Sequence, residues 1–227
     1  MARQLPSHAA LDLVRSVLAV IDMQNDFVRP GAPRHIPHAQ LTIPTITRLL
    51  EAARVCDVPV IFTRFIGSPR PALIWRFNPE IATDAQFCRA GHRRQYDDRP
   101  EPLDVTEIVD ELAPHAGDLV IDKAGYDAFH GTRLGAILRR FGADTIVLAG
   151  TATQGCVEST ARGAFHKGIW PVVVRDAVSS EYQDLHSASL RVVRMSFGDV
   201  RTADEVIGAW SAGPGRSGAS TLDHSQE

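Results

Sequence analysis

The sequence predicts an α/β protein built on a parallel sheet covered by helices on both faces. Three observations carry that reading. Short runs rich in apolar and β-branched residues recur at 16–21, 58–63, 118–123, 145–149 and 170–175. Between them lie stretches whose apolar residues return at helical spacing. The runs are mostly apolar without strict alternation, as expected of strands covered on both sides and joined by right-handed crossovers.

Taken in order, residues 1–14 read as a short arm or frayed helix. The run 16–21 is the first central strand, and Asp22-Met-Gln-Asn-Asp-Phe27 leaves it at the carboxyl edge. Residues 28–37 hold three prolines and a glycine and read as a loop. Ile43, Ile46, Leu49, Leu50 and Ala53 mark an amphipathic helix, with Thr42 as N-cap ahead of Pro44. The second strand is 58–63.

Residues 64–102 follow no period and contain seven arginines, five prolines and the aromatics Phe65, Trp75, Phe77, Phe87 and Tyr96. A loop this long in a compact domain is commonly functional or disordered, and its aromatic content argues against disorder. It reads as a lid or partner-contact segment containing short helices; the competing reading is a solvated insertion. Residues 105–112 read as a short helix and 118–123 as the third strand. A helix at 132–141 is closed by Gly142. Strand four is 145–149, a helix runs from Cys156 to about residue 167, and strand five is 170–175. A helix at 185–193, a weak edge strand near Val200 and a last short helix at 204–210 follow. Residues 212–227 lack an apolar face and read as a disordered tail, leaving one domain over 1–211.

The chain has 227 residues, a hydrophobic share of 44% and a formal net charge of −3. That suits one α/β domain and argues against nucleic-acid or membrane-surface partners. No apolar run approaches the length of a membrane span, and the first residues lack the signal-peptide pattern. Cys56, Cys88 and Cys156 are odd in number and show no CxxC spacing, so a reducing cytoplasm is the expected home.

Three strands end on residues with chemistry: Asp22, Lys123 and Cys156. In a parallel sheet those ends share one edge, the edge at which open α/β folds bind ligands. Cys156 follows a small-residue turn at the start of a helix, where unpaired N–H groups and the helix dipole favour a thiolate. A thiol there is either a nucleophile or a small packed residue, and the stretch alone leaves both readings open. A nucleophilic thiol needs a base, a role open to Asp22, and a cation, a role open to Lys123.

Three segments also carry a resemblance. They are Val20-Ile-Asp-Met-Gln-Asn-Asp-Phe27, Asp122-Lys-Ala-Gly-Tyr-Asp-Ala-Phe-His-Gly-Thr132, and Gly150-Thr-Ala-Thr-Gln-Gly-Cys-Val-Glu-Ser-Thr-Ala-Arg162. In this order they resemble the signature segments of the isochorismatase-like cysteine hydrolases, over roughly residues 16–200. The resemblance implies a three-layer α/β sandwich with a six-stranded parallel sheet, and a homodimer or homotetramer. It implies the catalytic set Asp22, Lys123 and Cys156. It further implies a cis peptide at Thr151–Ala152 and an oxyanion hole made by the N–H groups of Ala152 and Cys156.

Phe27, Trp75, Tyr126, His130 and Gln154 are candidates for contacting substrate. Core packing is the alternative for the aromatics, and helix capping for His130. Gln154-Gly155 departs from the family's usual Asn or Asp followed by a larger residue. Nicotinamidases of the family carry Asp-x-His after the second strand, where this chain reads Thr63-Arg-Phe-Ile-Gly67. His35 and His38 flank Pro37, a poor arrangement for a helical ligand pair. No metal and no cofactor are expected. The expected activity is cysteine-dependent hydrolysis of a small carboxamide or ureido compound through a thioester. The alternatives are a vinyl-ether hydrolase of the isochorismatase type and a silent binding protein on the same fold.

Overall fold

The computed structural model describes residues 13–67 and 87–213. Six parallel strands make the central sheet: β1 (Ser16–Ile21), β2 (Val60–Phe65), β5 (Leu119–Lys123), β6 (Thr145–Thr151), β7 (Trp170–Ser179) and β8 (Asp199–Arg201). Their order is β5-β2-β1-β6-β7-β8. β1 lies at the middle, with Ile21 in register with Thr63 of β2 and Gly150 of β6. Strands β3 (Arg93–Arg94) and β4 (Leu103–Asp104) form a separate antiparallel ribbon.

Successive side chains of each strand point to opposite faces, and each face has its own core. Leu18, Val20, Val60, Phe62, Val147 and Val172 face α1 (Asn25–Val28), α2 (Pro37–Val55) and α6 (Ala203–Ala212). Val17, Ala19, Ile21, Ile61, Ile146 and Leu148 face α3 (Leu134–Phe141) and α4 (Glu158–Phe165). The remaining helix is α5 (Gln183–Val192). This is the three-layer sandwich that the sequence predicts. β1 is buried at every position, which explains its continuous apolar run.

Several elements differ from expectation. α2 begins at Pro37, where a missing N–H costs nothing, and carries Pro44 inside it. Thr42 is therefore no N-cap; it is buried within the helix and its Oγ1 donates to the Ala39 carbonyl at 2.8 Å. Burial of Ile46, Leu49, Leu50 and Ala53 against the sheet holds the helix together across the proline. Residues 105–112 form no full helix, only a 3-10 turn at Asp110–Leu112. Their backbone bonds go elsewhere: Val105 N–H to His92, Val109 N–H to Met23, and Asn25 N–H to the Glu107 carbonyl. The segment 28–37 is preceded by the single helical turn α1.

Within 64–102, Phe87, Cys88 and Tyr96 are buried, so this part is no solvated insertion. Trp75, Phe77 and nearly all of the 212–227 tail lie outside the described residues.

Candidate active site

Asp22 leaves β1 with φ 48°, a left-handed conformation that aspartate tolerates better than most residues. Gly150 makes the sharp approach feasible: a Cβ there would stand 2.1 Å from the Ile21 carbonyl oxygen. Any side chain at Gly150 would push β6 away from β1 where Asp22 emerges. Lys123 ends β5, two strands over, and reaches past Phe65, with its ammonium 5.5 Å from the ring centroid. Cys156 follows β6 in a π-helical turn, Thr153–Val157, that leads into α4.

These three side chains meet. Lys123 Nζ lies 2.7 Å from Asp22 Oδ2 and 3.2 Å from Cys156 Sγ. Its remaining contact is the Gly125 carbonyl at 2.9 Å. The side chains of Asp22 and Lys123 are both fully buried. Lys123 makes an ion pair with Asp22 Oδ2, and the Cys156 thiol is coupled to the same carboxylate. The other oxygen, Oδ1, accepts from Thr63 Oγ1 at 2.7 Å. The Thr151–Ala152 peptide is cis, and the Ala152 carbonyl accepts from the N–H groups of Gly155 and Val157.

Burial pushes the Cys156 thiol up, the Asp22 carboxylate adds to that, and Lys123 offsets only part. Burial opposes the Lys123 charge, but Asp22 and Cys156 outweigh it and hold the ammonium above the usual lysine range. Burial and Asp22 thus oppose ionisation of the thiol, and Lys123 favours it. The helix start favours a thiolate, as the sequence suggests, while burial and the neighbouring carboxylate act against it. Cys88, in the arginine-rich segment, is fully buried, and its thiol is pushed well above its ordinary value by burial and by Asp26.

A second layer escaped the sequence reading. Asp26 points into the structure, where it accepts from Cys88 N–H at 2.9 Å, Arg94 Nε at 2.9 Å and Tyr96 OH at 2.7 Å. It thereby pins residues 88–96 beside the site. Gln24 clamps the end of β2 through both atoms of its amide, Oε1 accepting from Phe65 N–H and Nε2 donating to the Phe65 carbonyl. Both Gln24 and Asp26 stand in the first resembling segment, which is the signal that could have found them.

Cys156 opens onto a cavity of ≈ 210 Å³, suited to a small molecule. Phe27, Tyr126, Ala152 and Gln154 line it, together with Arg34, Phe65, Phe87, Glu181 and Tyr182. Phe27 and Phe87 meet edge to face with centroids 5.1 Å apart. His130 is exposed and outside this lining; the acceptor at the start of α3 is Thr132 Oγ1, 3.1 Å from Leu134 N–H. Trp75 lies outside the described residues. His35 precedes α2 and His38 sits in its first turn. No three His, Cys, Asp or Glu cluster as metal ligands among the described residues.

Comparison with known proteins defines the class. The family profile for the isochorismatase domain matches residues 16–205. Maleamate amidohydrolase of Pseudomonas putida is 30% identical over 193 residues, covering 85% of each chain. Ureidoacrylate amidohydrolase RutB of Methylobacterium radiotolerans is 31% identical over 236 residues, covering 92% of this chain and 86% of that protein. Among solved structures, a cysteine hydrolase from Pseudomonas syringae pv. phaseolicola 1448A superposes with TM-score 0.80 at 27% identity, covering 93% of this chain and 99% of that one. An isochorismatase family protein from Desulfovibrio vulgaris gives TM-score 0.75 at 30% identity, covering 87% and 98%. The chain belongs to the isochorismatase family of hydrolases. Within it, the chain falls in the amidohydrolase branch, which acts on non-peptide carbon–nitrogen bonds.

Proposed function

We propose that this chain hydrolyses the C–N bond of a small carboxamide or ureido compound through a thioester on Cys156. The observation that carries the reading is the contact of Lys123 with both Asp22 and Cys156 at the wall of a small-molecule cavity. Asp22 takes the thiol proton as the sulfur attacks the amide carbon. Lys123 then balances the charge that the proton transfer redistributes, so no free buried thiolate has to persist. The N–H groups of Ala152 and Cys156 hold the oxyanion. The C–N bond breaks as Asp22 returns the proton to the departing nitrogen, which leaves as ammonia or an amine. Water, deprotonated by Asp22, adds to the thioester; the acid departs and the proton returns to sulfur.

Thr63 keeps Asp22 Oδ1 engaged, leaving Oδ2 for the proton. The two relatives' names concern maleamate and ureidoacrylate, small acids with a terminal amide or ureido group. Their amide and ureido groups support the scissile bond by analogy, and not the carboxylate beside it. Vinyl-ether hydrolysis or silent binding would give the buried thiol no task. The free cysteines support a cytoplasmic setting. A homo-oligomer, and a lid or partner-contact role for 64–102, belong to the same proposal.

The test is ammonia release across nicotinamide, biuret, ureidoacrylate, N-carbamoyl acids and maleamate. At least one should be turned over by the parent protein and none by Cys156→Ser. No release from the whole panel, or an undiminished rate in Cys156→Ser, contradicts the reading.

A further inference from the structure

We infer that the cavity selects amide substrates whose far end carries no net charge and presents both a hydrogen-bond acceptor and a donor. This rests on the amidohydrolase reading and narrows its substrate class. Arg34 and Glu181 line the same cavity as Cys156, and their charged ends stand 3.6 Å apart. Neither is a solvated surface group: their side chains are 26% and 21% exposed. Gln154 Nε2 donates to Glu181 Oε2 at 3.4 Å, which steadies the carboxylate; a carboxylate neighbour requires the donor end of that amide.

The wall therefore offers a guanidinium donor beside a carboxylate acceptor, already neutralised against each other. At the reactive end, Asp22 and Lys123 cancel in the same way. Among the described residues the charges of this lining and of the reactive group beside it are balanced in pairs, so a ligand gains little there from a net charge of its own. A distal carboxylate would find Arg34 partnered and Glu181 facing it as a like charge. A distal amide, ureido group or zwitterion gives its oxygen to Arg34 and its N–H to Glu181, and leaves both satisfied. Glu181 is thus the specificity-determining residue, excluding simple anions such as those in the relatives' names.

Succinamide and succinamate differ only in carrying an amide or a carboxylate at the far end. Binding of each to Cys156→Ala protein, measured by calorimetry, reads the wall without turnover. We expect succinamide to bind at least about tenfold tighter. Adding Glu181→Gln should remove that preference or invert it. The ratio in the Cys156→Ala protein decides even if the double variant fails to fold. Tighter or equal binding of succinamate, no binding of either compound, or an unchanged ratio in a folded double variant overturns the inference. Ammonia release by the parent protein reports separately on the amidohydrolase reading. An active enzyme without the succinamide preference sinks only the wall's selectivity. Preference without turnover of any amide sinks only the reaction.

Discussion

Asp22 and Lys123 cancel as an ion pair, so the buried thiol beside them sees no net positive field to ionise into. Cys156 is in that sense a poor nucleophile until its proton has somewhere to go, and Oδ2 of Asp22 is the acceptor at hand. The sign of the effect gives a prediction. Asp22 raises the thiol, so Asp22→Asn should lower it, leaving Lys123 opposite a thiol that ionises more readily. Turnover should fall by ~10²–10⁴, the usual worth of a positioned general base. Alkylation of Cys156 by iodoacetamide at neutral pH should nevertheless become faster than in the parent protein. In the parent, alkylation should go on rising with pH beyond the range of an ordinary thiol. A mass-spectrometric time course checks both; slower labelling in Asp22→Asn would mean that Asp22 promotes a standing thiolate.

At the scale of elements, the site depends on strand ends being held while the loops between them vary. Gly150 lets β6 approach β1, and Asp26 ties 88–96 to α1. Next to it, Arg29 is 1% exposed yet charged. It bonds Glu111 at 2.9 and 2.6 Å and Asp98 at 3.1 Å, and so joins the end of α1 to the Asp110–Leu112 turn. Burial opposes its charge, but these carboxylates outweigh that and raise it above the ordinary arginine value. Arg29→Ala should therefore cost about 3 kcal/mol in denaturant unfolding, the lower end for a broken buried pair because Glu111 keeps solvent access. Arg162→Ala, which removes a half-buried i,i+4 pair with Glu158 and the guanidinium's contact with the Phe197 ring, should cost only about 1 kcal/mol. Equal losses would show that the Arg29 network does not fasten these elements.

Across the whole molecule, two cores on opposite faces hold the sheet, and Asp22, Lys123 and Cys156 gather at its carboxyl edge. That much was legible because buried parallel strands are apolar along their length and their ends share an edge. Asp22 and Lys123 stand at two such ends, and Cys156 follows a third in the Thr153–Val157 turn. The thiol's protonation state was not legible, since it depends on the balance of one carboxylate, one ammonium and burial. Thr63, Asp26, Arg34 and Glu181 were not legible as partners either. Each works through a side chain from a distant segment, which no local period records. Pro44 misled for a related reason: it reads as a local start signal, but burial of the helix face carries the helix across it from Pro37. The expected independence from metal also belongs at this scale. It rests on Thr63-Arg-Phe-Ile-Gly67, which offers no Asp-x-His pair after the second strand. Activity should survive dialysis against a chelator; loss that zinc or iron restores would refute this. The most direct test of the covalent mechanism is rapid-quench mass spectrometry with the best amide of the panel. The account predicts an acyl group on the Cys156 peptide, appearing with a burst of ammonia and decaying as acid is released. Steady ammonia release with no adduct at any time, and with Cys156→Ser as fast as the parent protein, would contradict it.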